Sequence, residues 1–189
     1  YHPVRLSAQH GLVAIRAALA NLSPRYDEVA SVFDRLGPTI TALNTDRLAG
    51  KRDGREIRFG HAPAEPVCSV IVPLYGRLDF MEVQGALLAG SGFADRHELI
   101  YVVDDPAASG GAIQLADTLF RRFGMPIRLW LQNDNLGFAP ACNVGLSLAS
   151  GRTVCFLNSD VFGTDPDWID RLVADLERIP EVGIVGPLL

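Results

Sequence analysis

Short apolar runs rich in β-branched and aromatic residues recur from residue 67 onward, and they constrain the fold more than any other feature. They are VCSVIVPLY (67–75), ELIYVV (98–103), IRLWL (127–131), TVCFL (153–157) and VGIVG (182–186). Runs this short and this uniformly apolar are typical of strands buried on both faces, as in a parallel sheet covered by helices.

Helical patterns separate these runs, at residues 79–89, 111–123, 139–149 and 166–179. The last has a start signal, with Thr164 or Asp165 as the cap and Pro166 in the first turn. Alternation of strand and helix predicts βαβ units. The predicted fold class is therefore α/β, a doubly wound, mostly parallel, Rossmann-like sheet with helices on both faces.

Residues 1–60 differ in character from the rest. Apolar residues at three- and four-residue spacing between positions 12 and 36 predict amphipathic helices, broken at Ser23-Pro24 and Gly37-Pro38. The polar stretch over 44–66 indicates a linker or loop. We therefore predict a helical extension and linker over 1–60, preceding a main domain over 67–189.

Charge and hydropathy exclude several partners. The net charge is −5 with no block of Lys or Arg, which argues against nucleic acid. No apolar segment approaches the roughly 20 residues of a membrane span, so we expect no integral membrane segment in this chain. Cys68, Cys142 and Cys155 lie far apart in apolar contexts and predict buried thiols. A cytoplasmic location follows, with a peripheral association with membrane left open.

Polar residues follow the apolar runs at the positions where strands would end. Doubly wound folds bind ligands at the carboxyl ends of their strands. Neither GxGxxG nor GxxxxGK[ST] is present, so the phosphates of a nucleotide would need another counter-charge. A divalent cation held by oxygen ligands would supply it. We predict Mn²⁺ or Mg²⁺ on Asp160, with Asn158 assisting through its amide oxygen or a bound water; a turn role is the alternative for Asp160.

Several of these stretches together resemble a known family. In order they are SVIVPLY, ELIYVVDD, NDNLGFAPACNVGLSLASG, FLNSDV and DWIDRLVADLERIPEVGIVGP. They are similar to the family-2 inverting glycosyltransferases, which have the GT-A fold, over residues 67–189. The most specific element is N-x-G-x-x-x-A-x-N-x-G, which begins at Asn135 and ends at Gly145.

The resemblance implies that the first two strand ends bind the base of a nucleotide sugar. Pro73 and Tyr75 match residues that line the base, and Asp105 matches the carboxylate that hydrogen-bonds it. Asp104 would be a structural or ribose-side group. The alternatives are that Tyr75 is an ordinary boundary aromatic and that the two aspartates form a turn before Pro106.

The resemblance further implies how the rest of the donor is held. Asn135, Gly137 and Asn143 match the segment that wraps the nucleotide sugar, although Asn143 could instead bond loop backbone. Asp160 matches the last aspartate of a D-x-D motif, which binds the metal bridging the diphosphate. Asn158 stands in place of the first aspartate of that motif, which puts metal affinity or choice in question.

Two other departures from the family pattern concern loops. Gly76 stands where the family often has asparagine after the tyrosine, and PAASGG follows Asp105 in place of a glycine- and serine-rich start. Contacts with the ribose are therefore expected to differ. Arg77, just past the first strand, is predicted to be a solvated surface arginine, with an approach to a phosphate as the alternative.

The function implied is metal-assisted transfer of a sugar from a nucleoside-diphosphate sugar to an acceptor hydroxyl, with inversion. A glycan or lipid-linked acceptor, in polysaccharide or cell-envelope glycan synthesis, is expected by the same resemblance. The catalytic base is expected beyond residue 189. This chain would then be the donor-binding half of a longer enzyme, truncated before the acceptor half and inactive alone.

Two other functions remain open at this stage. A non-catalytic GT-A-like binding or assembly module is favoured by Asn158 and by the absent acceptor half. A nucleotidyltransferase would carry a glycine- and arginine-rich loop after the first strand, of which only Gly76-Arg77 is present. A flavodoxin-like or receiver-like protein is disfavoured, because neither its phosphate loop nor its lysine after a fifth strand is found.

Overall fold

A computed structural model describes residues 53–90 and 92–187, together with residues 13, 16, 17, 20, 34 and 36–42. The chain divides into two compact units, Tyr1–Lys51 and Arg52–Leu189. The described residues of the first unit all have helical backbone. Gly37 and Pro38 are among them, so the helix break predicted there is wrong; proline's fixed φ of about −65° is itself helical. The break predicted at Ser23-Pro24 lies outside the described residues.

The second unit is built on a five-stranded sheet. Its strands are β1 (Gly54–Phe59), β2 (Cys68–Leu74), β3 (His97–Val103), β4 (Ile127–Gln132) and β5 (Thr153–Phe156). The spatial order is β1-β4-β3-β2-β5. Strands β4, β3, β2 and β5 run parallel, whereas β1 pairs antiparallel with β4. The carboxyl ends of the four parallel strands therefore meet at one edge.

Four helices connect these strands. They are α1 (Asp79–Ala89), α2 (Ser109–Phe123), α3 (Phe138–Leu148) and α4 (Trp168–Arg178), with short 3₁₀ helices at Phe93–Asp95 and Pro106–Ala108. All four helices were predicted, to within two residues at each bound. The N-cap of α4 is Asp167, which makes no side-chain capping bond, so the helix cap predicted at Thr164 or Asp165 is wrong. The Asp165 side chain instead accepts from the Asp167 amide at 2.9 Å in the turn before the helix.

Two strand predictions are wrong. Residues 54–59, assigned to the linker, form the antiparallel edge strand β1. Its two exposed arginines make the sequence look like a polar linker, although charged side chains are common on edge strands. Residues 182–186 have no regular secondary structure, and Ile184 is 89% exposed. This segment has no partner strand among the described residues.

Both faces of the sheet are covered. Val70, Val72 and Leu74 of β2 point to a large core shared with α1, α2 and α4, whereas Ile71 points to a second core shared with α3. The alternation follows from the two-residue period of a strand. The predicted α/β fold, doubly wound and mostly parallel, is therefore confirmed.

The three cysteines were predicted to be buried thiols. Cys68 and Cys142 are buried and Cys155 is half-buried, all three as free thiols. Burial raises the pKa of Cys155 to about 12, so this thiol stays protonated at neutral pH.

Within the described part of the chain, no helix combines the length and the apolar character needed to cross a membrane.

Candidate functional site

A cavity of about 420 Å³ lies at the carboxyl ends of the parallel strands. Its lining is Pro73, Leu74, Tyr75, Arg77, Phe80, Asp104, Asn135, Gly137, Phe138, Ala141, Asn158, Ser159 and Asp160. Seven of the nine predicted ligand residues are in this lining. The other two, Asp105 and Asn143, are not.

The end of β2 presents an aromatic ring to this cavity. Tyr75 is 67% exposed, directly after the last residue of the strand. Gly76 follows with φ of 74°, and the amide of Arg77 donates to the Tyr75 carbonyl at 2.9 Å. The left-handed backbone favours glycine and, among other residues, asparagine. Gly76 in place of the family's asparagine therefore preserves the turn.

Asp104, at the end of β3, is buried and holds the start of α3. Its two carboxylate oxygens accept from the amides of Leu136 and Gly137, at 2.8 and 2.6 Å. Gly137 has φ of 93° and caps α3, so the carboxylate also lies near the positive end of that helix dipole. Both carboxylate oxygens thus make the backbone contacts expected of a structural residue, while Asp104 also lines the cavity, so its ribose-side role stays a prediction.

Asp105 and Asn143 lie outside the cavity lining. The Asp105 carboxylate accepts from the Ala107 amide at 3.0 Å and caps the 3₁₀ helix that follows. Asn143 is exposed on α3. The hydrogen bond that Asp105 makes is the turn-forming one offered as its alternative, and the donor-binding roles of both residues stay predictions.

The end of β5 carries a turn with two polar side chains. The Leu157 amide donates to the Ile71 carbonyl at 2.9 Å and extends the β5–β2 pairing by one residue. The turn Asn158–Val161 follows, with the Val161 amide donating to the Asn158 carbonyl at 3.2 Å. The side chains of Asn158 and Asp160 are exposed and line the cavity.

These groups suit a hard divalent cation. The Asp160 carboxylate and the Asn158 amide oxygen are the ligand types that Mg²⁺ and Mn²⁺ take in proteins. Among the described residues, no three or more His, Cys, Asp or Glu side chains are grouped so that they alone could hold a metal. A cation at Asp160 would therefore depend on oxygens from a bound ligand, as is usual for Mg²⁺.

Arg77 and Phe80 also line the cavity, although neither is among the nine predicted ligand residues. Arg77 donates to both carboxylate oxygens of Asp79, at 2.7 and 2.5 Å, and lies 4.4 Å above the Phe80 ring. The hydrogen bonds from Arg77 hold the pKa of Asp79 below its usual range. The arginine is exposed, as expected, and it lies at the cavity rim. The spacing R-x-D-F after a strand was the available signal.

Comparisons with known proteins identify relatives of this chain. The sequence model described as Glycosyl transferase family 2 matches residues 69–188. A 38-residue stretch is 53% identical to part of the O-antigen biosynthesis protein RfbC of Myxococcus xanthus, and covers 20% of this chain and 3% of that protein. Among solved structures, the mannosyltransferase PcManGT from Pyrobaculum calidifontis, in complex with GDP-Man and Mn²⁺, matches with a TM-score of 0.55 and 19% identity.

The structural match covers 93% of this chain and 44% of the mannosyltransferase chain. At 19% identity the likeness shows a shared fold. This chain thus spans less than half the length of either protein.

Proposed function

This chain belongs to glycosyl transferase family 2 and has the GT-A fold, and on that premise we propose that its cavity binds a nucleoside-diphosphate sugar. The bound sugar would be the donor for transfer to an acceptor hydroxyl with inversion. The observation that carries the proposal is the convergence of Tyr75, Asn135, Gly137 and Asp160 on one cavity at the carboxyl ends of the sheet. We further propose that residues 67–189 are the donor-binding part of the domain.

The residues at the end of β2 would receive the base. Tyr75 offers an exposed ring for stacking, next to Pro73 at the end of β2. Asn135 and Gly137, which follow β4, would wrap the nucleotide sugar. The left-handed backbone of Gly137 permits a close approach of the ligand.

The turn after β5 would receive the diphosphate and a divalent cation. Asp160 would be the carboxylate ligand, and Asn158 would contribute its amide oxygen or bind through water. The complex of the structural relative with GDP-Man and Mn²⁺ supports this proposal. When bound, the cation would neutralise the charge that develops on the leaving diphosphate. Arg77 lies at the same rim, where its guanidinium, paired with Asp79, would also donate to a phosphate oxygen.

The catalytic base and the acceptor are proposed in less detail than the donor site. Asp104 is engaged by backbone amides and Asp160 by the proposed cation, so we assign neither as the base that deprotonates the acceptor. The likeness to an O-antigen biosynthesis protein supports a glycan or lipid-linked acceptor in polysaccharide or cell-envelope glycan synthesis.

Three free thiols support a reducing, cytoplasmic location.

Calorimetric titration tests the donor proposal. We expect one of UDP, dTDP and GDP to bind this chain in a Mn²⁺-dependent manner, and Asp160→Ala to abolish that dependence. Asp95→Ala is the matched control, because Asp95 is an exposed aspartate before β3, at the opposite end of the sheet. Absence of binding in a folded sample would contradict the proposal and favour a non-catalytic module.

A further inference from the structure

Gln84 on α1 is a buried polar side chain whose hydrogen bonds end on the turn that carries Asp160. It is 2% exposed. Its amide nitrogen donates to the carbonyl of Asn158 and to the carbonyl of Val161, each at 2.8 Å. These two carbonyls belong to the first and last residues of the turn, so one side chain holds both ends of it.

The chemistry of the contact is specific to a primary amide. The nitrogen carries two hydrogens, one for each carbonyl, and the paired acceptors fix which end of the amide faces the turn. A carboxylate there would face two carbonyl oxygens with no hydrogen to offer. A thioether of similar length would fill the space and donate nothing.

A second contact between the same two elements supports the first. Phe80 lies four residues before Gln84 and so on the same face of α1. Its ring packs edge-to-face on Phe162, with centroids 5.7 Å apart and planes at 70°. Helix α1 therefore holds the turn by hydrogen bonds at its two ends and by an aromatic contact just beyond it.

We propose that Gln84 is a positioning residue for the metal-binding turn. It holds Asn158–Val161 against α1 so that the Asp160 carboxylate is already oriented toward the cavity before nucleotide and cation arrive. A ligand held in its binding geometry in advance loses less conformational freedom on binding. This inference rests on the proposed function, because it takes Asp160 as the metal ligand.

Mn²⁺ titration in the presence of the nucleotide that binds tests this role. We expect Gln84→Met to weaken Mn²⁺ affinity about 10-fold, which corresponds to losing two ordinary hydrogen bonds. Metal-free nucleotide affinity should change less than about 2-fold. Gln84→Asn should behave like Gln84→Met, because its amide is one methylene too short to reach both carbonyls.

Gln132→Met is the matched control, since Gln132 is also 2% exposed but bonds Trp130 and lies outside the cavity lining. It should leave Mn²⁺ affinity unchanged even where it lowers stability. If Asp160→Ala abolishes metal dependence while Gln84→Met keeps wild-type Mn²⁺ affinity, this inference is overturned and the proposed function stands. If the wild type shows no metal-dependent binding, both are overturned.

Amide hydrogen exchange of the wild type tests the same point without a variant. The Val161 amide, which closes the turn, should be protected in the protein free of metal and nucleotide. Protection that develops only on adding Mn²⁺ and nucleotide would overturn the inference, because the ligands and not Gln84 would then order the turn.

Discussion

Asp104 and Asp105 are adjacent carboxylates with different surroundings. Asp104 is 4% exposed and accepts from two backbone amides, whereas Asp105 is half-buried and caps a short helix. Successive residues of an extended segment point to opposite sides, so neighbours in sequence meet different environments. The sequence identified the pair, and only the fold distinguishes the two.

Replacing Asp104 with Asn should lower the free energy of unfolding by about 1–3 kcal/mol. An amide keeps one acceptor oxygen and turns its NH₂ toward the second backbone donor, which leaves a buried hydrogen bond unmade. Urea unfolding measures the change. Asp105→Asn is the control and should stay within about 0.5 kcal/mol, since Asn caps a helix as well as Asp. Equal losses in the two variants would contradict the structural role of Asp104.

Replacing Tyr75 with Ala should weaken binding of the nucleotide about 10-fold or more, because stacking of a base on an aromatic ring contributes about 1–3 kcal/mol. Stability should change little, since the side chain is 67% exposed. Tyr75→Phe keeps the ring and should bind nearly as the wild type does. Calorimetry measures the nucleotide affinity of the wild type, Tyr75→Ala and Tyr75→Phe. An unchanged affinity in Tyr75→Ala would show that the ring is an ordinary boundary aromatic.

At the scale of elements, burial decided what the sequence could predict. Strands β2 and β3 are buried at every position, and their uniformly apolar sequences predicted them correctly. Strand β1 is half-exposed, and its charged residues make its sequence similar to that of a linker. Residues 182–186 are as apolar as a strand, but strand formation also requires a neighbour to bond with, which a local pattern does not reveal.

Some residues of the candidate site could be predicted from the sequence and others could not. Residues at strand ends were predictable, because the carboxyl ends of parallel strands share one edge. Gln84 was not, because its partners lie 74 and 77 residues away in sequence. Arg77 and Asp79 were close in sequence, yet their pairing depends on the turn at Gly76.

The last glycine of the family motif shows how closely α3 packs on the sheet. A Cβ built on Gly145 would lie 2.3 Å from Cγ2 of Ile71 and 3.3 Å from Cγ2 of Val102. Gly145→Ala should therefore destabilise the protein by about 1–3 kcal/mol, although alanine favours a helix. Gly110→Ala, in α2 with nothing within 4 Å of its Cβ, should be neutral or stabilising. Thermal unfolding of both variants measures the contrast, and a stable Gly145→Ala would mean that α3 can shift on the sheet.

At the scale of the whole unit, the sheet has a polar network at the end opposite the cavity. Glu98 of β3 is 1% exposed and accepts from Ser69 of β2, from Ser150 after α3, and from Arg128 of β4. Arg128 also bonds Glu56 of the edge strand β1. Three other segments thus bond one buried carboxylate, and Arg128 ties the edge strand to it.

This network predicts a pH dependence of stability with a definite sign. Burial alone would raise the pKa of Glu98, but hydrogen bonds from Ser69, Ser150 and Arg128 outweigh it and hold the pKa below the usual 4.5. A carboxyl whose pKa is lower in the folded state stabilises the fold fully above about pH 4.5. That contribution is lost as the pH falls through the lower, folded-state pKa. The free energy of unfolding should therefore decline from about pH 5 toward pH 3.

Glu98→Gln isolates this contribution, because an amide does not titrate. At pH 7 the variant should be less stable by about 3 kcal/mol, since it leaves Arg128 short of one buried partner. Below pH 4.5 the difference from the wild type should shrink, because protonated Glu98 is also neutral. Urea midpoints from pH 7 to pH 3 measure both effects, with the exposed Glu65→Gln as a control that keeps the wild-type profile. A Glu98→Gln profile parallel to that of the wild type would mean that other carboxyl groups, and not this network, set the acid sensitivity of the fold.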